Sequence, residues 1–236
     1  MNIQRSQKAI LADENLNLSN NPRGTDKGDY KSYIDKYYEI EFEKIRDSSV
    51  KLMEIGFRHG ASLALWAYYF KDAKILGLDN SSDSTLSDNL PVNKDWLTLD
   101  KISTRIGDAY DPNFANEVIG PFDVIIDDGP HTLESQLIAM DLYHNKLGKN
   151  GVLIIEDIQK YGGLILVFFI LKVPFKFALS IKDLRTDKWS HDNILLTIRR
   201  CSVPLCILNR LKLVLQICFY LVVEPPLFLL RKGFIL

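Results

Sequence analysis

Carboxylates recur along this chain where several of them could meet. Asp127 and Asp128 close the apolar run FDVIIDD, Glu156 and Asp157 close GVLIIED, and Asp79 closes AKILGLD. Glu54 lies in MEIGFRHGAS, and Gly107 and Asp108 follow ISTRI. Acids brought to one place repel unless a cation or protons neutralise them. Oxygen-only ligation suits Mg2+ or a similar divalent cation, which can also hold a substrate hydroxyl and lower its pKa. Asp127, Glu156 and Asp157 are the candidate metal ligands. His131, close behind Asp127, is a candidate general base, and His191 in KWSHDNILL is a second. The plainer alternative is that the acids cap helices, Asp128 or Thr132 standing before a helix that starts at 133.

A second group of residues suits a nucleoside. Gly56 and Gly60 in MEIGFRHGAS are spaced E-x-G-x-x-x-G between an apolar run and a helical one. Glycine permits a sharp turn and a close ligand approach, and a helix N-terminus offers free N–H groups. The spacing is not the G-x-G-x-x-G of dinucleotide sites, and no Gly-Lys-Ser/Thr phosphate loop is present. Glu54 in this turn would repel a pyrophosphate but suits an amine or a cation. Asp79 is placed to accept hydrogen bonds from two ribose hydroxyls. Together they favour S-adenosylmethionine, which carries sulfonium and amino charges, over a dinucleotide.

These residues must be held by alternating strands and helices. VKLMEI (50–55), AKILGLD (73–79), ISTRIGD (102–108), FDVIIDD (122–128) and GVLIIED (151–157) read as strands. Helices are expected over 61–70 and over 133–148, the latter closed by Gly148. FKFALSI (175–181) and NILLTIRR (193–200) are expected to pair antiparallel at a sheet edge. Helices between strands imply βαβ units and a parallel sheet covered on both faces. The fold class is therefore α/β, a Rossmann-like three-layer sandwich with a mostly parallel sheet, an antiparallel edge strand and an apolar C-terminal helical tail. In such sheets ligands bind beyond the carboxyl ends of the strands, where these acids stand.

The 236 residues carry 29 Lys+Arg against 30 Asp+Glu, a net of −1, which excludes a uniformly basic nucleic-acid-binding surface. The acids and bases are unevenly spread, because residues 199–236 hold six Lys/Arg and one acid. Three cysteines without a CxxC, all C-terminal, fit a reducing compartment rather than a disulfide framework. The N-terminus lacks the apolar core of a signal peptide, so the expected location is cytoplasmic. Residues 203–236 are apolar, but their longest uninterrupted apolar run, Ile217–Val223, is far short of the roughly 20 residues of a membrane span. Asn209, Lys212, Gln216 and Tyr220 would form a polar stripe on an apolar helix. Such a helix packs on the domain, joins a homo-oligomer, or lies on the inner face of the cell membrane, a location the apolar LILVFFILKVPFKF also suits.

The ordered set GTDKGDYKSYIDKYYE, MEIGFRHGASLALWAYYFKDAKILGLD, GDAYD, IDDGPHT and GKNGVLIIEDIQ resembles the metal-dependent class I S-adenosylmethionine methyltransferases of the sugar and macrolide O-methyltransferase type, with cephalosporin-hydroxylase-like relatives. Pro130 stands where that family usually has Ser. The resemblance implies that Glu54, Gly56, Gly60 and Ser62 line the methionine end of S-adenosylmethionine, that Asp79 holds the ribose, and that Asp108 lies near the adenine. Asp127 would border cofactor and metal, Asp127, Glu156 and Asp157 would ligate Mg2+, and His131 or His191 would deprotonate the acceptor. The Thr25–Tyr30 segment would be a lid or an N-terminal part of the cofactor site, with Thr25 and Tyr30 at the cofactor. The implied organisation is an N-terminal lid or helical segment (1–49), an S-adenosylmethionine-binding methyltransferase domain (50–200) and a basic apolar tail (201–236). The acceptor would be a sugar-containing small molecule or a lipid-linked glycan, not a nucleic acid. The alternatives are a hydroxylase-like enzyme on the same scaffold and a catalytically silent, membrane-associated binding protein.

Overall fold

The computed structural model describes residues 4–80, 94–158, 173–174, 176–185, 192–200, 208 and 211–212. Its centre is a seven-stranded sheet built from β1 (Ser49–Ile55), β2 (Asp72–Asp79), β3 (Ile102–Ile106), β4 (Phe122–Asp127), β5 (Leu147–Ile155), β6 (Phe177–Asp183) and β7 (Ile194–Arg200). The order across the sheet is β3-β2-β1-β4-β5-β7-β6. β1 to β5 run parallel, and β7 joins β5 antiparallel, pairing Ile155 with Leu196, with β6 antiparallel beyond it. The expected edge pair is thus present, and the three-layer α/β class holds.

The near-continuous burial of β1 and β4 reflects cover on both faces. Side chains alternate between two cores, as the two-residue period of a strand requires. Leu52, Val124, Ile126 and Ile154 face one core with α3 (Ala61–Tyr69) and the N-terminal residues Leu11, Tyr33, Tyr38 and Phe42. Met53, Ile55, Ile125 and Ile155 face the other with α5 (Leu133–Tyr143). The N-terminal residues belong to the first core rather than lying over it. They come from α1 (Gln7–Asp13), a loop pinned by an Asn17–Thr25 bridge, and a wide helical turn (Ile34–Tyr38) that runs into α2 (Glu39–Phe42). Α short α4 (Pro112–Asn116), capped by Asp111, links β3 to β4.

Several boundaries differ from the sequence expectation, β5 running Leu147–Ile155 rather than 151–157 and β6 Phe177–Asp183 rather than 175–181. The helix from 133 ends at Tyr143, not Gly148, because Leu147 is already buried in β5 and pairs with Phe122. The His144 ring, through Nδ1, lies 2.8 Å from the Met140 carbonyl and closes the last turn. β3 stops at Ile106, and the Gly107 N–H still completes the ladder by donating to the Asp79 carbonyl at 2.9 Å. His191 and almost all of the apolar tail lie outside the described residues. No helix among the described residues is long and apolar enough to cross a membrane.

Candidate functional site

The chain winds outward from β1 to β3, then returns to place β4 on the other side of β1. That reversal leaves a crevice beyond the carboxyl ends of β1 and β4, the usual ligand position in an open α/β sheet. Backbone bonds lace its floor: the Gly56 N–H donates to the Leu78 carbonyl at 2.8 Å, and the Asp128 N–H to the Ile55 carbonyl at 2.9 Å. Gly56 has φ +82°, and a Cβ there would run into the Asp128 backbone carbonyl, so only glycine lets the two turns meet. Gly60, at φ +88°, then opens α3.

Two cavities share Gly56, Arg58, Asp128 and Gly129. One, of about 290 Å³, is lined by Leu78, Asp79, Asp108, Tyr110 and Pro130. Asp79 Oδ2 accepts the Arg58 backbone N–H at 2.8 Å, and Asp108 Oδ1 that of Tyr110 at 2.9 Å, which aims both carboxylates at the cavity rim. The other, of about 270 Å³, is lined by Thr25, Arg23, Ser62, His131 and Asp157. The joined volume suits an elongated ligand with a hydroxyl-rich nucleoside at one end and a charged group at the other.

Arg58, His131 and Asp157, with φ of 49°, 57° and 54°, are held in the left-handed region, and all three line the second cavity. Side chains rarely adopt this backbone, and such residues collect at functional sites where the surrounding fold enforces them. For His131 the enforcing element is the turn before α5. Thr132 caps that helix by accepting the Ser135 N–H at 3.0 Å, while Ser135 Oγ accepts from the Thr132 N–H at 3.2 Å. The expected cap is therefore Thr132, which leaves Asp128 for the site.

The acids do converge, and two lysines of the N-terminal segment lie among them. Lys27, fully buried, places Nζ 2.6 Å from Asp128 Oδ2, 2.7 Å from Glu156 Oε2 and 3.5 Å from Glu54 Oε1. Burial alone would lower the Lys27 amine, but Asp128, Glu156 and Glu54 outweigh it and hold the amine well above the usual lysine range. Lys31 Nζ lies 3.0 Å from Asp157 Oδ1 and 2.7 Å from Asp192 Oδ1. Tyr33 donates its hydroxyl to Asp157 Oδ1 and Tyr38 donates to Glu156 Oε1. Beneath them Trp66 Nε1 donates to Glu54 Oε2 at 2.8 Å.

Of the three acids read as metal ligands, Asp157 borders the cavity, whereas Glu156 and Asp127 lie below it. Glu156 is engaged by Lys27 and Tyr38. Asp127, 2% exposed, accepts the Tyr110 hydroxyl at 2.7 Å, and burial pushes its carboxyl up to about 6. Among the described residues, the group with donor atoms close enough to share an ion is Asp128, His131 and Asp157, all within 4.8 Å of one another. His131 Nε2 lies 3.8 Å from Asp128 Oδ1 and 3.7 Å from Asp157 Oδ2. Thr25 and Ser62 line the second cavity, Tyr30 is 56% exposed, and Glu54 is sealed under the first turn. The sequence reading passed over Lys27, Lys31, Tyr33, Tyr38 and Tyr110 as individual residues. The available signal was a charge imbalance, a surplus of strand-end acids with no named counter-charge.

Fold and site together define a doubly wound α/β domain with a ligand crevice at its topological switch point. Residues 53–158 match the family model described as a methyltransferase domain. Among curated relatives, the demethylmacrocin O-methyltransferase of Streptomyces fradiae is 30% identical over 132 residues, covering 52% of this chain and 31% of that protein. The mycinamicin VI 2''-O-methyltransferase of Micromonospora griseorubida is 29% identical over 143 residues, covering 56% and 33%. The chain spans about a third of the length of these relatives. Among solved structures, the MycE methyltransferase of the mycinamycin biosynthetic pathway, in complex with Mg, SAH and mycinamycin VI, aligns with TM-score 0.52 at 20% identity, over 71% of this chain and 49% of that one. An rRNA methylase from Streptococcus thermophilus aligns with TM-score 0.51 at 12% identity, over 70% and 96%. At these identities the structural likeness establishes the fold. The similarity to sugar and macrolide O-methyltransferases read from the motifs is thus borne out.

Proposed function

We propose that this chain is an S-adenosylmethionine-dependent O-methyltransferase whose acceptor is a sugar hydroxyl of a glycosylated small molecule, with Mg2+ or a similar divalent cation. The observation that carries the reading is the pair of joined cavities, with Asp79 on one and the Asp128–His131–Asp157 group on the other. The names of the curated relatives, which act on demethylmacrocin and mycinamicin VI, support the acceptor class. When bound, the sulfonium cofactor supplies the methyl group and the divalent ion supplies positive charge that makes a hydroxyl more acidic.

The chain's own groups suit the rest of the task. Asp79 would accept from the ribose hydroxyls, and the turn at Gly56 lets the cofactor lie against the backbone. Asp128 Oδ1 and Asp157 Oδ2 are oxygen donors that suit a hard cation. His131 Nε2 stands beside both and would take the acceptor proton at that nitrogen. Holding acceptor and methyl donor in two cavities that share a wall supplies positional advantage, which can account for much of a rate enhancement.

Labelled methyl transfer tests the reading. Purified protein with methyl-labelled S-adenosylmethionine should label glycosylated small molecules in a lysate extract, and EDTA should abolish the labelling. S-adenosylhomocysteine should bind in calorimetry with or without EDTA. A protein that does not bind it is not a methyltransferase of this kind.

A further inference from the structure

The sequence points to Glu54 as the partner of a cofactor amine, but the fold seals that carboxylate away. Glu54 has no exposed surface, its Oε2 accepts Trp66 Nε1 at 2.8 Å, and its Oε1 faces Lys27 Nζ at 3.5 Å. The carboxylates that do line the second cavity are Asp26, Asp128 and Asp157. Lys27 lies 2.6 Å from Asp128, and Lys31 lies 3.0 Å from Asp157, which also takes the Tyr33 hydroxyl. Asp26 differs, because among the described residues no hydrogen bond or ion pair engages its side chain. Its backbone is nonetheless fixed: the Asp26 carbonyl accepts the Lys31 N–H at 2.8 Å and the Tyr30 N–H at 3.2 Å, and the bridge to Asn17 pins Thr25 just before it.

From this we infer that Asp26, and not Glu54, is the counter-charge for the α-ammonium of S-adenosylmethionine. The inference rests on the cofactor of the proposed function and deepens it, by assigning a cofactor-binding residue outside the 53–158 segment that matches the family. With the ribose at Asp79, the amino-acid end of the ligand must pass the shared wall at Gly56 into the second cavity. Ala61 and Ser62, at the amino end of α3, line that cavity too, and their backbone N–H groups suit the α-carboxylate. The α-ammonium needs a carboxylate that is not already neutralised, since an unpaired charge in a half-closed cavity is disfavoured. Asp128 and Asp157 have their lysines in contact, and Asp26 has none. Burial and the charge of Asp128 raise the Asp26 carboxyl above its ordinary range, and a bound ammonium offsets both.

The test is calorimetry on the full chain in EDTA, which keeps divalent ions out, with S-adenosylhomocysteine and with methylthioadenosine, the nucleoside thioether without the amino acid. Wild type should bind S-adenosylhomocysteine roughly tenfold or more tightly than methylthioadenosine, the scale of a hydrogen bond to a charged group. Asp26→Asn should remove most of that preference, weakening S-adenosylhomocysteine by about tenfold while methylthioadenosine stays within about twofold. Asp26→Ser is the second variant, with the same expected ratio. Glu54→Gln should keep the preference within about threefold, whatever it does to the melting temperature, because its charge is met inside the protein. A wild type that binds both ligands alike overturns the inference without any variant, and so does an unchanged preference in the Asp26 variants. Equal weakening of both ligands in those variants also overturns it, because the residue would then shape the cavity rather than hold the amine. Loss of preference in Glu54→Gln, with the Asp26 variants behaving as wild type, returns the amine to Glu54. Binding of neither ligand by wild type overturns the S-adenosylmethionine reading itself.

Discussion

Lys27 and Glu156, 129 positions apart in sequence, meet at 2.7 Å with neither side chain open to solvent. A lone buried ammonium or carboxylate is strongly disfavoured, so each residue needs the other. The contact ties the segment after α1 to the carboxyl end of β5. Lys31 and Tyr33 repeat the tie one turn later at Asp157. The floor of the second cavity is therefore built jointly by the first strand-free residues of the chain and by its central sheet.

Gly56→Ala should damage both stability and cofactor binding. Alanine at φ +82° is strained, and its Cβ would press on the Asp128 carbonyl, so β1 and β4 would have to separate at their ends. A loss of about 1–3 kcal/mol is expected in chemical denaturation, together with weaker S-adenosylhomocysteine binding. Wild-type stability and affinity in this variant would show that the turn tolerates a side chain.

Asp79→Ala should weaken S-adenosylhomocysteine by roughly 10- to 100-fold in calorimetry, the scale of about 1.5–3 kcal/mol for hydrogen bonds to a charged group. Folding should change little, because the carboxylate lies at a cavity rim, where it accepts the Arg58 backbone N–H. An unchanged affinity would place the ribose elsewhere.

His131→Ala should slow methyl transfer by about 10²- to 10⁴-fold while S-adenosylhomocysteine binds as before. The imidazole lines the cavity but is not part of either apolar core, so the loss should sit in kcat. Equal losses in kcat and in cofactor affinity would instead mean that the histidine shapes the cofactor site.

Asp127→Asn should make the metal-free protein more stable at neutral pH. Burial pushes the Asp127 carboxyl up to about 6, whereas an exposed aspartate titrates near ~3.9. With the folded value above the unfolded one, folding takes up a proton in that window. The stabilisation is full below ~3.9 and is lost as pH rises through about 6. At pH 7.5 the ionised, buried carboxylate costs stability, and asparagine keeps an acceptor for the Tyr110 hydroxyl without the charge. Urea unfolding in EDTA should give Asp127→Asn an advantage of about 1–3 kcal/mol at pH 7.5, at roughly 1.4 kcal/mol per pKa unit, and none near pH 4. An advantage of equal size at both values would refute the assignment.

Most of the sheet could be read from apolar runs punctuated by Gly, Pro and Asp, because strands buried on both faces carry almost no polar interruption. The site was legible only where it is made of strand ends. Asp79 ends β2, and Asp108, His131 and Asp157 lie within four residues of their strand ends, so topology alone brings them to one crevice. The lysines could not be placed in this way. Lys27 and Lys31 sit in a polar N-terminal run, and nothing local says that such a lysine is buried; that depends on acids more than a hundred residues away. The end of α5 was misjudged for a related reason. Leu133–Lys146 keeps a helical character, and only the pairing of Leu147 with Phe122 decides where the strand begins.

The Asn17–Thr25 bridge and the lysine ties that follow it bear on how the molecule comes together over time. A ribosome delivers Lys27 and Lys31 long before the acids they need, Glu156, Asp157 and Asp192. Until those arrive, Lys31 has neither of its carboxylate partners and Lys27 has only Glu54 and Asp128, so water solvates the ammonium groups better than the half-made core does. The cavity floor is therefore among the last parts to close, and its contacts are of the long-range kind that slow folding. A chain interrupted before β5 has the glycine turn and Asp79 but lacks Glu156, Asp157 and Asp192, and with them most of the ties that seat the segment walling the second cavity. Truncated copies would carry part of the nucleoside cleft without a sealed reaction chamber.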